Sequence, residues 1–308
     1  MPRELANQIL TQMNRLILGK EHQVKLALTC LLAKGHLLIE DLPGMGKTTL
    51  AHGLAQSLGM SYQRIQFTSD LLPADVVGLS IFDQQTHSFT LHKGPIFSQL
   101  LLADEINRAS PKAQSALLEA MEEHQVSIDG QSHQLPEPFF VIATQNPIFH
   151  AGTYPLPESQ LDRFMMKISI GFPDADAERK MLLDTTTRFE QEALPAIVDD
   201  NQLLAIMNNV QEIHCSESVI DYVINLCQHT RKEDFSGQPL SPRASKSLIS
   251  SAKAWAFIEG RDHVIPDDIQ AVFSSVTEHR IGQFNTTKLT SGQQSLAQQI
   301  LSQVPVIS

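Results

Sequence analysis

Apolar runs of strand length alternate with helical segments in the first half of the chain. From Thr48 the apolar positions recur at helical spacing, and Gly59 is placed to end that helix. Ser110 and Pro111 are typical of the N-cap and first turn of another helix, which we expect to run to Glu123. Alternating strands and helices predict an α/β fold, in which a parallel sheet is sandwiched by helices. The predicted strands are residues 36–40, 61–67, 97–103, 139–144 and 166–170.

The pattern changes after Gly171, where strand-like runs stop and helical periodicity dominates to the end of the chain. The shift predicts two domains, of which the second is small and all-helical. We expect the core domain over residues 1–172, a linker over 173–200 and the helical domain over 201–308.

One segment of the core domain interrupts the alternation of strands and helices. Asp129 and Gly130 stand between two short stretches of extended character, and Asp-Gly is a strong signal for a tight hairpin turn. We therefore expect an inserted β-hairpin over about residues 125–135.

Composition narrows the class of partner. Acidic residues outnumber basic ones by 34 to 23, which gives a net charge of −11. Such a charge repels polyphosphate backbones, so we expect a protein partner and not a nucleic acid. Apolar runs are shorter than the roughly 18 residues that span a bilayer, and the first residues lack the order of a signal peptide. The predicted location is the cytoplasm.

A glycine-rich loop lies between the first predicted strand and its helix, which is the context of a phosphate-binding loop. Lys47 would reach the β- and γ-phosphates of a nucleotide, and the Thr48 hydroxyl would be a ligand of Mg²⁺. Asp41 stands where the strict pattern has its first glycine, and Asp tolerates unusual backbone angles better than most residues. The residues predicted to bind nucleotide here are Pro43, Gly44, Met45, Gly46, Lys47, Thr48 and Thr49.

Two adjacent carboxylates follow the third predicted strand. Ligands of open α/β sheets bind just beyond the carboxyl ends of the strands, where Asp104 and Glu105 are delivered. Asp104 would hold the Mg²⁺ shell, and Glu105 would orient and deprotonate the attacking water. Asn146 ends the next strand, and its amide could hold that water or the γ-phosphate, or it could cap a helix or turn.

Two arginines are candidates for stabilising the charge that develops on the γ-phosphate. Arg163 precedes the last predicted strand, and Arg243 follows a helix start in the second domain. Pairing with a surface carboxylate is the commoner fate of an arginine. An ATPase, however, needs positive charge at this point, and a neighbouring subunit often supplies it.

With these residues in place, the chain resembles the MoxR-type AAA+ ATPases over nearly its whole length. The resemblance implies an AAA+ core with a helical lid, ATP and Mg²⁺ as ligands, and a usually hexameric ring with ATP bound between subunits. The matching segments are residues 42–48, 94–97, 101–108, 116–123, 140–147, 152–164, 241–243 and 254–262.

The resemblance also implies roles for single residues. Asn146 corresponds to sensor 1, Arg163 to the arginine finger and Arg243 to sensor 2. The turn that holds Ile17 and Gly19 resembles the stretch that contacts adenine. Arg108 follows the same pattern and is expected at the subunit boundary.

Two inserted segments and a class of client complete the resemblance. Residues 67–94 resemble the helix 2 insert of this clade, and the 125–135 hairpin resembles the insert before sensor 1. Family members are thought to act as chaperones, often for partners with von Willebrand factor A domains.

Other functions stay open at this stage. The chain could be an ATP-gated binding module with little turnover, although a pure switch has no need of the Glu105 base. It could also be the motor subunit of a chelatase or of a complex that acts on nucleic acid, which its acidic charge disfavours.

Overall fold

The computed structural model describes residues 2–85, 87–146, 153–183, 194–282 and 294–306. The core domain contains the predicted alternation of helices and strands. Its elements, in chain order, are α1 (Pro2–Leu16), α2 (Glu21–Leu32), β1 (Leu37–Glu40), α3 (Lys47–Ser57), β2 (Tyr62–Gln66), α4 (Pro73–Val77), β3 (Gly78–Asp83), β4 (Ser88–Lys93), β5 (Leu100–Asp104), α5 (Pro111–Glu123), β6 (Gln125–Ile128), β7 (Gln131–Gln134), β8 (Phe140–Gln145), α6 (Glu158–Leu161) and β9 (Met166–Ile168).

Five strands form one parallel sheet in the order β2-β5-β8-β1-β9. Side chains of a strand alternate between the two faces of the sheet. Leu37 and Ile39 of β1 accordingly pack into the core on one side, whereas Leu38 packs into a second core on the other side. Apolar cover on both faces explains why the strands read as continuous apolar runs. The predicted α/β sandwich is confirmed.

Strand bounds differ from the predicted ones most clearly at β5. The apolar run begins at Phe97, but Pro95–Phe97 forms a 3₁₀ turn and β5 begins only at Leu100. Pro95 lacks an amide hydrogen for the strand ladder and suits the first position of a helical turn. Hydrophobicity alone could not separate this turn from the strand.

The 67–94 insert folds as α4 followed by an antiparallel hairpin of β3 and β4. The apolar pattern did not predict this hairpin. Gly78 and Gly94 close its base, where a Cβ on Gly94 would lie 2.4 Å from the Val76 carbonyl oxygen. Large apolar side chains on the hairpin remain exposed, among them Phe82 and Phe89.

In the segment predicted to form a hairpin, β6 and β7 pair as antiparallel strands. Its turn residues have positive φ angles, 50° at Asp129 and 78° at Gly130. Two left-handed residues in a two-residue loop are what a right-twisted hairpin requires.

The second half of the chain is helical, as predicted. Arg3 of α1 donates to the carbonyl oxygens of Gly260 and Arg261, and one apolar core joins α1 and α2 to the helical domain. Within the predicted linker lies a helix, α7, while residues 184–193 fall outside the described part. The helices are α7 (Ala175–Leu183), α8 (Asp200–Gln211), α9 (Glu217–His229), α10 (Pro242–Ile258), α11 (Pro266–Ile281) and α12 (Leu296–Gln303).

In the parts of the chain that the structure describes, no helix combines the length and the apolar character needed to cross a membrane.

Candidate nucleotide-binding site

The loop between β1 and α3 depends on two glycines with positive φ angles, 84° at Gly44 and 79° at Gly46. A Cβ at either position would meet no atom within 4 Å, so backbone conformation and not lack of space requires glycine. Pro43, Gly44 and Thr48 are exposed, whereas Met45 and Thr49 are partly buried. The loop therefore presents its backbone to solvent at the N-terminus of α3, where amides attract anions.

Lys47 is the buried residue of this loop, with 8% of its surface exposed. Its Nζ donates to the Asp41 carbonyl oxygen at 2.7 Å and faces Asn146 Oδ1 at 3.4 Å. Burial lowers the pKa of the Lys47 amine, and the charges of Asp104, Asp41 and Glu105 act in the opposite direction. The carboxylates of Asp104, Asp41 and Glu105 thus favour the charged form of this partly desolvated amine.

Asp41 is a structural anchor at the position where the strict loop pattern has glycine. Its carboxylate accepts hydrogen bonds from the Ser169 hydroxyl at 3.0 Å and from the backbone amides of Ile170 and Gly171. These amides lie directly after β9. The departure from the pattern therefore ties the start of the loop to the connection that leads into the helical domain.

Asp104 is the last residue of β5, and both of its carboxylate oxygens have partners. The Thr144 hydroxyl donates to Oδ1 at 2.5 Å, and the Arg64 guanidinium lies 2.6 Å from Oδ2. Thr144 Oγ1 also accepts the Glu105 amide at 2.9 Å, so one hydroxyl positions both acidic residues. Sequence reasoning missed Thr144 and Arg64, whose strands flank β5.

Glu105 has a positive φ of 54°, a backbone angle that few non-glycine residues adopt. Its Oε1 accepts from the Asn146 amide at 2.9 Å. Its Oε2 accepts from Gln66 Nε2 at 2.8 Å and pairs with Arg108 Nε at 3.1 Å. Three side chains from three segments thus aim the Glu105 carboxylate.

Asn146 connects the acidic residues to the loop. Its nitrogen contacts Glu105 and its oxygen faces Lys47, with the residue almost completely buried. The side chain therefore bridges the predicted base and the predicted phosphate-binding amine. Neither of these two contacts caps a turn.

Arg163 and Arg243 come together on a carboxylate that sequence reasoning did not single out. Both pair with Glu122 near the end of α5, Arg163 at 3.2 Å from Oε2 and Arg243 through Oε1. The preceding residue, Met121, accepts a hydrogen bond from His36, which lies just before β1. The nucleotide loop follows the carboxyl end of β1. The arginines therefore lie toward the amino ends of the strands, away from their own Lys47.

The turn predicted to contact adenine packs into the protein. Ile17 is 6% exposed and belongs to the apolar core, and a Cβ on Gly19 would approach Ala177 Cβ to 2.9 Å. The adjacent Lys20 donates to the Phe172 carbonyl oxygen at 2.6 Å. Contact of this turn with adenine remains a prediction.

Comparison with known proteins agrees with this architecture. Residues 36–166 match the model of the ATPase family associated with various cellular activities (AAA), and residues 228–303 match the AAA lid domain. A crystal structure from Cytophaga hutchinsonii ATCC 33406, described as a candidate ATPase, shares 36% identity with a TM-score of 0.89. The match covers 100% of this chain and 96% of the other.

Relatives with similarity over most of the chain include two that carry the name MoxR. The chaperone MoxR1 of Mycobacterium tuberculosis is 40% identical over 88% of this chain and 74% of its own length. Protein MoxR of Paracoccus denitrificans is 32% identical over 87% and 86%, respectively. YeaC of Bacillus subtilis, uncharacterized, is 43% identical over 98% of this chain and 95% of its own length. On this evidence the chain belongs to the MoxR family of AAA+ ATPases.

Proposed function

We propose that the protein hydrolyses ATP in a Mg²⁺-dependent reaction and uses the energy to remodel a protein partner. The carrying observation is the chain of contacts from Lys47 through Asn146 to Glu105, at the open loop before α3. It supports the proposal because the side-chain amide of Asn146 contacts both the amine that would bind phosphate and the carboxylate that would act as the base.

The residues present fit a Mg²⁺–nucleotide complex. Thr48 offers an exposed hydroxyl and Asp104 a carboxylate, the oxygen ligands that Mg²⁺ prefers, and nucleotide phosphates would complete the shell. When bound, the ion would neutralise charge on the phosphates. Lys47 would hold the terminal phosphates, Glu105 would accept the proton of the attacking water, and Asn146 would orient that water.

The two arginines support a site that is shared between subunits. Arg163 and Arg243 both pair with Glu122, toward the amino ends of the strands. The nucleotide loop of the same subunit lies at the carboxyl ends, so neither arginine is placed to reach its own nucleotide. We infer that both act on the nucleotide of a neighbouring copy. A ring, usually hexameric in this family, would provide such a neighbour at every site.

A protein client is the second part of the proposal. The related MoxR1 is named a chaperone, and the hairpin of β3 and β4 exposes Leu79, Ile81, Phe82 and Phe89. Clustered exposed apolar residues are typical of surfaces that contact other proteins. We propose that this hairpin contributes to contact with a client, which in this family often carries a von Willebrand factor A domain.

The test is phosphate release from ATP by the purified protein, measured over a range of protein concentrations beside Glu105→Gln. We expect specific turnover to rise cooperatively with concentration, because the site needs a neighbour. The variant should bind ATP but lose at least about 100-fold in turnover, since the proton acceptor is gone. Normal hydrolysis by the variant would exclude Glu105 as the base, and tight ATP binding without turnover in both proteins would indicate a nucleotide-gated switch.

A further inference from the structure

Arg64 on the edge strand β2 forms an ion pair with Asp104, one of the two acidic residues of the site. Arg64 and Gln66 lie on the same face of β2, and Gln66 is paired in register with Asp104 of β5. Arg64 stands two residues before Gln66, and its guanidinium lies 2.6 Å from Asp104 Oδ2. The same nitrogen, Nη2, lies 3.3 Å from Gln66 Oε1, so one end of the guanidinium makes both contacts.

The two partners of Asp104 differ in how readily they could leave. Thr144 donates to Oδ1 while accepting the Glu105 amide, so its hydroxyl is tied to two neighbouring residues of the site. Arg64, by contrast, is a long side chain that remains 47% exposed, whereas the Asp104 side chain is 12% exposed. An arginine that can move into water is therefore the exchangeable partner of a nearly buried carboxylate.

A divalent cation held by Asp104 would compete with Arg64 for Oδ2, because Oδ1 already accepts from the Thr144 hydroxyl. A guanidinium and Mg²⁺ are both positively charged, and they cannot occupy Oδ2 together. We propose that Arg64 is a latch that satisfies Asp104 in the nucleotide-free protein, so that Mg²⁺ must displace it when nucleotide binds. Arg64 thereby raises the Mg²⁺ concentration that the site requires. This inference rests on the nucleotide site proposed above.

The experiment follows nucleotide binding and does not depend on turnover. A fluorescent methylanthraniloyl derivative of ATP is held at a fixed concentration with the protein, and Mg²⁺ is titrated from an EDTA-buffered start. A half-exposed ion pair has a modest strength, so Arg64→Gln should lower the half-saturating Mg²⁺ concentration by about threefold to fivefold. Arg64→Lys keeps the charge without the planar fork and should give a smaller change.

Two controls separate displacement from a change in overall charge or fold. Arg15→Gln removes an exposed arginine at the end of α1 and should leave the Mg²⁺ requirement unchanged. In an Asp104→Asn background the latch has lost its partner, so adding Arg64→Gln should have no further effect. Thermal melts of all variants confirm that the proteins compared are folded.

The outcomes are distinct. An unchanged Mg²⁺ requirement in Arg64→Gln overturns the latch, and a higher requirement overturns it too, because Arg64 would then help to hold the nucleotide. An effect of Arg64→Gln that persists in the Asp104→Asn background also excludes direct competition. Absence of Mg²⁺-dependent binding in the wild type and every variant would overturn both the latch and the proposed nucleotide site.

Discussion

The side-chain amide of Asn146 donates to Glu105 Oε1 at 2.9 Å, and its oxygen faces the Lys47 amine at 3.4 Å. One neutral side chain therefore separates an amine from a carboxylate in a buried environment. Its N–H group contacts the carboxylate, and its oxygen contacts the amine. Direct pairing of Lys47 with Glu105 would occupy the groups that phosphate and water need. Asn146 keeps both groups close together without a direct ion pair between them.

Replacing Asn146 should impair hydrolysis more than binding. In Asn146→Ala the Glu105 carboxylate loses one of the contacts that aim it, so we expect turnover to fall by about 10- to 100-fold. ATP affinity should change by less than about threefold, because Lys47 and the loop backbone remain. Phosphate release and equilibrium binding measure the two effects, with Asn208→Ala on the surface of α8 as a control. A loss confined to affinity would assign Asn146 to phosphate binding.

Mixing two inactive variants tests where the arginines act. Arg163→Ala keeps its own Glu105, and Glu105→Gln keeps its arginines, so a mixed ring contains some complete sites if Arg163 works on a neighbour. We expect each pure variant to be nearly inactive and the mixture to recover measurable phosphate release.

The same mixture with Arg243→Ala should also recover activity, because Arg243 shares Glu122 with Arg163. An Arg243 that served its own nucleotide would give no recovery, since no site in the mixture would contain both groups. The two arginines can thus be assigned separately.

Restoring the glycine of the strict loop pattern at position 41 should lower the stability of the folded protein. Asp41→Gly removes the acceptor of the buried Ile170 amide and of the partly buried Gly171 amide and leaves both donors unpaired. We expect a loss of about 2 to 4 kcal/mol in the free energy of unfolding and no gain in ATP affinity. Denaturant unfolding and nucleotide titration check both parts. Asp41→Asn, similar in shape but uncharged, should lose less stability, and an Asp41→Gly protein of normal stability would contradict the anchoring role.

His36 should make folding sensitive to acid. Its Nδ1 accepts the Val141 amide at 3.0 Å and its Nε2 contacts the Met121 carbonyl oxygen, in a buried site that lowers its pKa from 6.5 to about 4. Between these values the unfolded chain binds more protons than the folded chain. The free energy of unfolding therefore falls as the pH drops below about 6.5, by about 1.5 kcal/mol at pH 5.5 from His36 alone.

Thermal or denaturant unfolding at pH 7.5 and pH 5.5 measures this loss. The pKa of His279 is also lowered by burial and contributes in the same direction, so the comparison must be between proteins. His36→Asn retains an acceptor for Val141 but does not titrate, and it should lose about 1.5 kcal/mol less than the wild type between the two pH values. Equal losses would show that His36 does not carry the effect.

Sequence alone determined those features that depend on neighbours along the chain. Continuous apolar runs specify strands buried on both faces, and Gly44 and Gly46 specify a loop with positive φ angles before a helix. The turn at Asp129 and Gly130 is likewise local. For the same reason Asp104, Glu105 and Asn146 could be placed at one edge of the sheet, because parallel strands end together.

Tertiary structure alone decided which side chains meet across strands and domains. Arg64 reaches Asp104 because β2 pairs with β5. Glu122, near the end of α5, pairs with Arg243 near the start of α10 and with Arg163 in the segment after α6. The hairpin of β3 and β4 also escaped prediction, although Phe89 and Leu91 alternate with polar residues along β4, and most of its side chains are exposed. Local patterns record which face of an element is buried, but contacts between residues 40 to 121 positions apart depend on strand order and on helix packing.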